Sequence, residues 1–456
     1  TIGATVLGQG RVEFTANAGT ADNNEADDTL SVDANVSGGQ VVFHLADGSA
    51  TDTAGEDILL NFNLDNSVDG GSYRFVSENA DQDVILEGAA RTLTTDHGDV
   101  VFETSIVDDG TASSFAIAAG AGDVSLRTVT VTGTGGVGLD VNSTGTTFLE
   151  GNITATDSSV DFSGASWVEI TNHINIDTTG GVDNPGNAGA DILFGIDAGT
   201  DPTPLNTLTG NYGLWLDAGD GEIVFDNVNG LVGNDDDTHP AGLIIAELAD
   251  QPTPSDIGAN DVTFKGVTVI PGGSVIYADT VTGSNPVIAD EDILWEAGRI
   301  NVDDTLAVSG NHTITLTATG DGVGAADGDI LVGTVVSSQF GKITLSADDD
   351  VVFDGGNIYS LGEVDITANS GNNEANRGII DENTVADDPL AKITGNVVTL
   401  SVQDGYIGEG TNFGTAANAG AAFSAPVEAT GVGYLDIDVR ERLDVTLSGG
   451  GTVPAD

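Results

Sequence analysis

The 456 residues contain no cysteine and no methionine, and lysine occurs only at Lys265, Lys342 and Lys392. Without cysteine there are no disulfides, no thiol nucleophile and no thiolate-held zinc. Only 11 Lys and Arg stand against 72 Asp and Glu, a formal net charge of −61. A surface of that sign repels nucleic acid and anionic lipid, and so few scattered cations cannot assemble a phosphate-neutralising patch. Aromatics make up 5%. No run approaches the length of about 18 apolar residues that a membrane-spanning helix needs.

What is present is aspartate, glycine and short apolar alternation. Asp outnumbers Glu by 54 to 18, and 64 residues are Gly. Asp and Gly favour turns whereas Glu and Lys favour helix, so the balance opposes a helical protein. High charge is also a signature of disorder, but 39% hydrophobic residues arranged with period 2 argue for a packed β core. Gln40-Val41-Val42-Phe43-His44-Leu45, Asp99-Val100-Val101-Phe102-Glu103, Glu222-Ile223-Val224-Phe225 and Lys342-Ile343-Thr344-Leu345-Ser346 show the pattern. Each is β-branched and fenced by Gly, Asp, Asn or Ser, as short strands between turns are.

Strands also recur at a fixed spacing. Leu126, Phe148 and Ile170 lie 22 residues apart, Leu139 and Val160 lie 21 apart, and so do Leu345 and Ile366. About three short strands per 21 to 22 residues is the chain length of one triangular coil, which predicts an all-β fold, a right-handed parallel β-helix (solenoid) with like residues stacked at about 4.8 Å per coil. About 15 to 18 coils and a rod of about 80 Å follow from that rise. The period is broken at 178–204, 232–240, 249–258, 320–329 and 369–389, which read as loop insertions. The expectation is one solenoid over residues 1–456, with 185–204 as its weakest point and with linker-like terminal composition that fits a segment of a longer exported protein.

Gly213-Leu214-Trp215-Leu216-Asp217-Ala218-Gly219-Asp220-Gly221-Glu222-Ile223-Val224-Phe225, followed by Val228-Asn229-Gly230 and Gly242-Leu243-Ile244-Ile245, resembles a phrase repeated through very large bacterial β-strand-repeat proteins. Those proteins are similar to filamentous-haemagglutinin-type surface adhesins. Gly341 to Phe353 and Gly395 to Leu400 have the same character. The resemblance implies an elongated protein of the cell surface or extracellular matrix, used in adhesion, in fibres or in biofilm.

Constellations for catalysis are wanting. Gly133-Thr134-Gly135-Gly136-Val137-Gly138 matches G-x-G-x-x-G, but no βαβ unit surrounds it. Gly135 to Asp140 fits one copy of a G-G-x-G-x-D calcium repeat, and a single copy does not make a β-roll. His44, His97, His173, His239 and His312 show no metal-ligand spacing, and no G-x-S-x-G elbow occurs. The one close cation pair, Arg440 and Arg442, is expected on one strand face with Glu441 on the other. The reading is therefore no enzyme. The competing reading is a carbohydrate-binding or polysaccharide-cleaving module on the same scaffold, for which Trp167, Trp215 and Trp295 are the stacking candidates.

Acid runs are the best candidate sites. Asp235, Asp236 and Asp237, and again Asp348, Asp349 and Asp350, bring carboxylates together in Gly-rich corners. Ca²⁺ takes six to eight oxygens from carboxylates and turn carbonyls, so it is the cofactor this chemistry suits. Adaptation to concentrated salt would account for the same composition. Strands close to both termini without a capping helix predict end-to-end self-association if the chain is a complete unit, and caps supplied by neighbouring repeats if it is a segment of a longer one; matrix carbohydrate is a further expected partner, and neither nucleic acid nor membrane insertion is expected.

Overall fold

A computed structural model describes residues 1–8, 10–17, 30–46, 57–67, 70–78, 82–88, 90–111, 114–133, 136–180, 189–195, 207–210, 212–225, 242–246, 259–265, 268–270, 272–319, 328–368, 378–381, 392–403, 406–409 and 436–448. Among them are strands and turns but no helix. The chain divides into two compact units, 1–232 with 247–252, and 233–246 with 253–456.

In the first unit the strands form three columns, each strand hydrogen-bonded in parallel to the strand one coil later. One column runs Arg11–Asn17, Gln40–Ala46, Ser72–Ser77, Val100–Phe102 and Val124–Leu126, then the end of Val137–Leu149, Ala165–Ile170 and Thr207–Gly210. The second runs from Leu30–Val32 through Ile58–Leu60, Val84–Leu86 and Ile106–Asp108 to Leu214–Asp217. The third runs from Leu64–Asn66 through Ala90–Thr95 and Ser114–Gly120 to Glu222–Phe225. The second unit repeats the plan, with columns headed by Leu243–Ile245, Ala259–Phe264 and Thr268–Ile270. Three strands per turn of parallel chain is a parallel β-helix, the architecture the spacing predicts.

The step between coils varies. Val262 pairs with Val281, a step of 19, and Leu149 with Ile170, a step of 21, while Ile170 pairs with Gly210, a step of 40. The long steps at Ile170 to Gly210 and Ile314 to Ile343 span the insertions expected at 178–204 and 320–329, whereas the insertion expected at 369–389 is corrected: the strand Gly378–Asp381 lies inside it, paired with Val351–Phe353. A solenoid absorbs such insertions because each coil contacts only its neighbours.

One expected stack is corrected. Leu126 pairs with Leu149 and Leu149 with Ile170, so Phe148 sits beside Ser125 and Glu169 on the outer face, half-buried. Side chains alternate along a strand, so a slip of one residue exchanges inside for outside. A constant step of 22 hid two steps of 23 and 21.

Inward positions fill the coils with stacked apolar side chains. Phe14, Phe43, Phe75 and Phe102 form one ladder, with successive centroids 5.8, 5.1 and 4.5 Å apart. Phe162, Phe194 and Phe225 form another at 5.5 Å each. Trp295 is fully buried against Phe264 and donates its Nε1–H to Ser274 Oγ at 2.9 Å. Such pairs add about 0.5–1.5 kcal/mol each beyond their buried area.

Candidate functional site: the aspartate corners

At many corners an Asp directly precedes an inward aliphatic residue: Asp57-Ile58, Asp83-Val84, Asp99-Val100, Asp123-Val124, Asp191-Ile192, Asp292-Ile293, Asp329-Ile330 and Asp350-Val351. Extended backbone leaves this residue's N–H and C=O facing the adjacent coils, and both must find partners. The carbonyl accepts from the preceding coil: Ile58 N–H reaches Asp83 O at 2.9 Å, Val100 N–H reaches Asp123 O at 2.8 Å, and Ile330 N–H reaches Asp350 O at 2.8 Å. The side chain accepts from the following coil. Asp57 Oδ1 takes Asp83 N–H at 3.0 Å, Asp99 Oδ1 takes Asp123 N–H at 3.0 Å, and Asp123 Oδ1 takes Thr146 N–H at 2.7 Å. Asp191 with Glu222, Asp292 with Thr313 and Asp329 with Asp350 repeat the arrangement at 2.9, 2.6 and 3.0 Å.

Asn fills the same place at Asn63, Asn152 and Asn357, whose Oδ1 atoms accept from Thr92, Asn175 and Lys392 N–H at 3.0, 2.9 and 2.8 Å. The common requirement is therefore an oxygen two bonds from Cβ, not a charge. Glu carries its oxygens one methylene too far, which explains why Asp prevails at corners.

Other Asp carboxylates fold their own turns by taking the N–H two residues on: Asp161 from Ser163 at 2.7 Å, Asp177 from Thr179 at 2.7 Å and Asp217 from Gly219 at 3.2 Å. Asp177 and Asp217 lie in register on successive coils and are both buried.

Hydrogen bonds from Asn61 and Ser31 hold the Asp33 carboxyl below the usual range. The Thr111 hydroxyl and backbone N–H do the same for Asp109. Asp140 is pushed up, first by burial and then by the charge of Asp161, its register partner. Burial raises Glu296 as well.

Cations pair with glutamates on the outer strand faces: Arg11 with Glu13 at 3.0 Å, Arg74 Nε with Glu103 at 2.8 Å, and Arg127 with Glu150 at 3.5 Å. His44 lies between Glu13 at 3.7 Å and Glu78 at 3.2 Å.

The predicted acid runs fall as follows. Asp235, Asp236 and Asp237 lie outside the described residues. Asp348, Asp349 and Asp350 make the corner between Ile343–Ala347 and Val351–Phe353, and their N–H groups reach Ala318 O at 2.9 Å, Gly328 O at 3.1 Å and Asp329 Oδ1 at 3.0 Å. Asp349 and Asp350 are buried. Among the described residues no three acid or histidine side chains form a group that would hold a metal ion. Of the phrase Gly133 to Gly138, Gly133 directly follows the strand Val129–Thr132 and Gly138 lies in the strand Val137–Leu149, while Thr134 and Gly135 lie outside the described residues. Near Arg440 the backbone register shifts: Val439 pairs with Gly395 but Arg442 with Val397.

Sequence reasoning noted the Asp-aliphatic phrases as strands and missed their shared role. The signal was visible: the residue before the first inward aliphatic is an acid or amide in coil after coil.

Fold and corners together define an acidic parallel β-helix whose carboxylates take part in joining its coils. No family model matches the chain, and no curated protein or solved structure matches it either.

Proposed function

We propose that the protein is a structural component of the cell exterior, a rigid acidic β-solenoid serving as an adhesin stalk or as a fibre or matrix subunit, without enzymatic activity. The observation that carries this reading is the engagement of corner carboxylates with backbone N–H groups of the next coil, seen from Asp57 to Asp329. Acids held this way serve architecture. The same ladders place like charges one coil apart, as at Asp99 and Asp123 or Asp329 and Asp350. Two such charges repel by about 1 kcal/mol at 4 Å even in water, which favours cations at the corners, with Ca²⁺ suited by its preference for oxygen.

The test is a screen of neutral and acidic polysaccharides for binding and product release; release of cleaved product would sink the structural reading. Trp167 favours a second reading, carbohydrate binding. It stands 44% exposed on the outer face, with its ring fixed by an Nε1–H bond to Thr209 Oγ1 at 3.1 Å. Retention of neutral glycan that is lost in Trp167→Ala would support that alternative.

A further inference from the structure

In the first unit, the column of strands from Arg11–Asn17 to Thr207–Gly210 carries five described glutamates on its outer face or at its strand ends: Glu13, Glu78, Glu103, Glu150 and Glu169. Four of them face a basic side chain. Arg11 and His44 lie against Glu13, His44 against Glu78, Arg74 against Glu103 and Arg127 against Glu150. Glu169 is the exception: among the described residues no Arg, Lys or His pairs with it.

Glu169 stands two residues from Trp167 on the same outer face of Ala165–Ile170, about 7 Å along the strand. Of the three tryptophans, Trp295 is 0% and Trp215 7% exposed, whereas Trp167 is 44% exposed. The Trp167 ring is nevertheless held in place. Its Nε1–H donates to Thr209 Oγ1 at 3.1 Å, and Thr209 is the register partner of Glu169 on the next coil. That bond draws the edge of the indole to the row of Glu169 while the ring stays open to solvent. On the preceding coil the register slips by one residue beside this ring: Ser143 pairs with Ala165 but Thr146 with Trp167. Bulges of this kind re-aim side chains and are common next to active sites.

An exposed aromatic plate with an uncompensated carboxylate at its edge lacks a cation. We propose that an amino-sugar polymer supplies it, the C–H face of a pyranose stacking on Trp167 while the sugar's ammonium meets Glu169. The proposal rests on the carbohydrate reading above and names its substrate class. A pyranose needs one plate, whereas a bare ammonium is gripped by a cage of several rings, and among the described residues no ring pairs with Trp167. Charge points the same way: 72 acids against 11 Lys and Arg draw a polycation and repel an acidic glycan.

The experiment is a titration of the 456-residue chain with a β-linked glucosamine oligomer and with its neutral N-acetylated counterpart, at a mildly acidic pH that keeps the amine charged, read by calorimetry and by tryptophan fluorescence. A net charge of −61 attracts any polycation, so Trp167→Ala, which leaves that charge as it is, is the deciding variant. The wild type is expected to bind the glucosamine oligomer with a saturable fluorescence change, because Trp215 and Trp295 are buried and Trp167 is the indole a ligand reaches. This readout on the unmodified chain stands even if a variant misfolds. Trp167→Ala should weaken binding by at least about ten-fold, the factor that about 1.4 kcal/mol represents, and Trp167→Phe should recover most of it. Glu169→Gln should cost the glucosamine oligomer about ten-fold and leave the neutral oligomer unaffected. Unchanged affinity in Trp167→Ala, or binding to the wild type without a fluorescence change, would reduce the effect to general attraction and overturn the proposal. Equal binding of both oligomers, dependent on Trp167 but indifferent to Glu169→Gln, would overturn the amino-sugar assignment and leave the carbohydrate reading standing. Binding of polylysine with the same dependence on both residues, and of neither oligomer, would overturn both in favour of a basic protein partner. None of these results touches the stalk reading, which falls only to polysaccharide cleavage.

Discussion

Asp99 shows what a corner residue must supply. Its Oδ1 takes the Asp123 N–H at 3.0 Å, and the charge it carries is incidental to that bond. Asp99→Asn keeps the acceptor and should leave Tm nearly unchanged, whereas Asp99→Ala removes the acceptor of this exposed bond and should cost about 0.5–1.5 kcal/mol. Thermal melting of the two variants separates geometry from charge. Asp140 tests the opposite case. Its folded pKa is raised by burial and by Asp161, so ionisation at neutral pH opposes folding and the penalty disappears as pH falls through the carboxylate range. Asp140→Asn should therefore raise Tm at pH 7, with a gain that shrinks on acidification. Asp33 and Asp109 run the other way: their lowered values mean a contribution present above the unfolded carboxylate pKa and lost as pH falls through the folded one.

At the scale of strands and turns, close stacking leaves little room at the corners. A Cβ on Gly122 would lie 2.1 Å from Gly98 O, and one on Gly98 would lie 1.9 Å from Gly71 O. Gly122→Ala should destabilise by more than about 1 kcal/mol, because backbone must move to admit the methyl group; melting beside Gly110→Ala, where nothing lies within 4 Å, separates crowding from the positive φ of Gly110. These elements differ in how plainly the sequence announces them. The pairs Leu139 with Val160 and Leu345 with Ile366 are read correctly from spacing, because their coils hold 21 residues and the outward residues are polar. Phe148 is misread because a fixed period cannot show that one coil has 23 residues and the next 21, and an outward aromatic looks like core. The corner role of Asp was legible only in part: a turn-forming acid is evident from composition, but its bond to a residue 21 to 31 positions on exists only once coils are stacked.

At the scale of the molecule, 72 Asp and Glu are offset by only 11 Lys and Arg, leaving a net charge of −61. Self-repulsion among exposed acids weakens as the Debye length falls from about 10 Å at 0.1 M to about 3 Å at 1 M, so Tm should rise over that range. Cation binding predicts more. At fixed ionic strength, adding a chelator should lower Tm and excess Ca²⁺ should restore it, as mass action on a folded-state ligand requires. A Tm indifferent to chelator would leave general screening as the whole effect.

The claim on which the account depends is that side chains one coil apart stand beside each other in the register described. Because the chain has no cysteine, an introduced pair reports without background. Thr315 and Thr344 are outward register partners on adjacent coils, 29 positions apart, at a strand separation of about 4.8 Å that a disulfide can span. Mild oxidation of Thr315→Cys/Thr344→Cys should close an intramolecular disulfide in nearly every folded molecule, while the diagonal pair Thr315→Cys/Ser346→Cys should stay reduced. Free thiols in the first pair, or equal closure in both, would contradict the coil register and the β-helix with it.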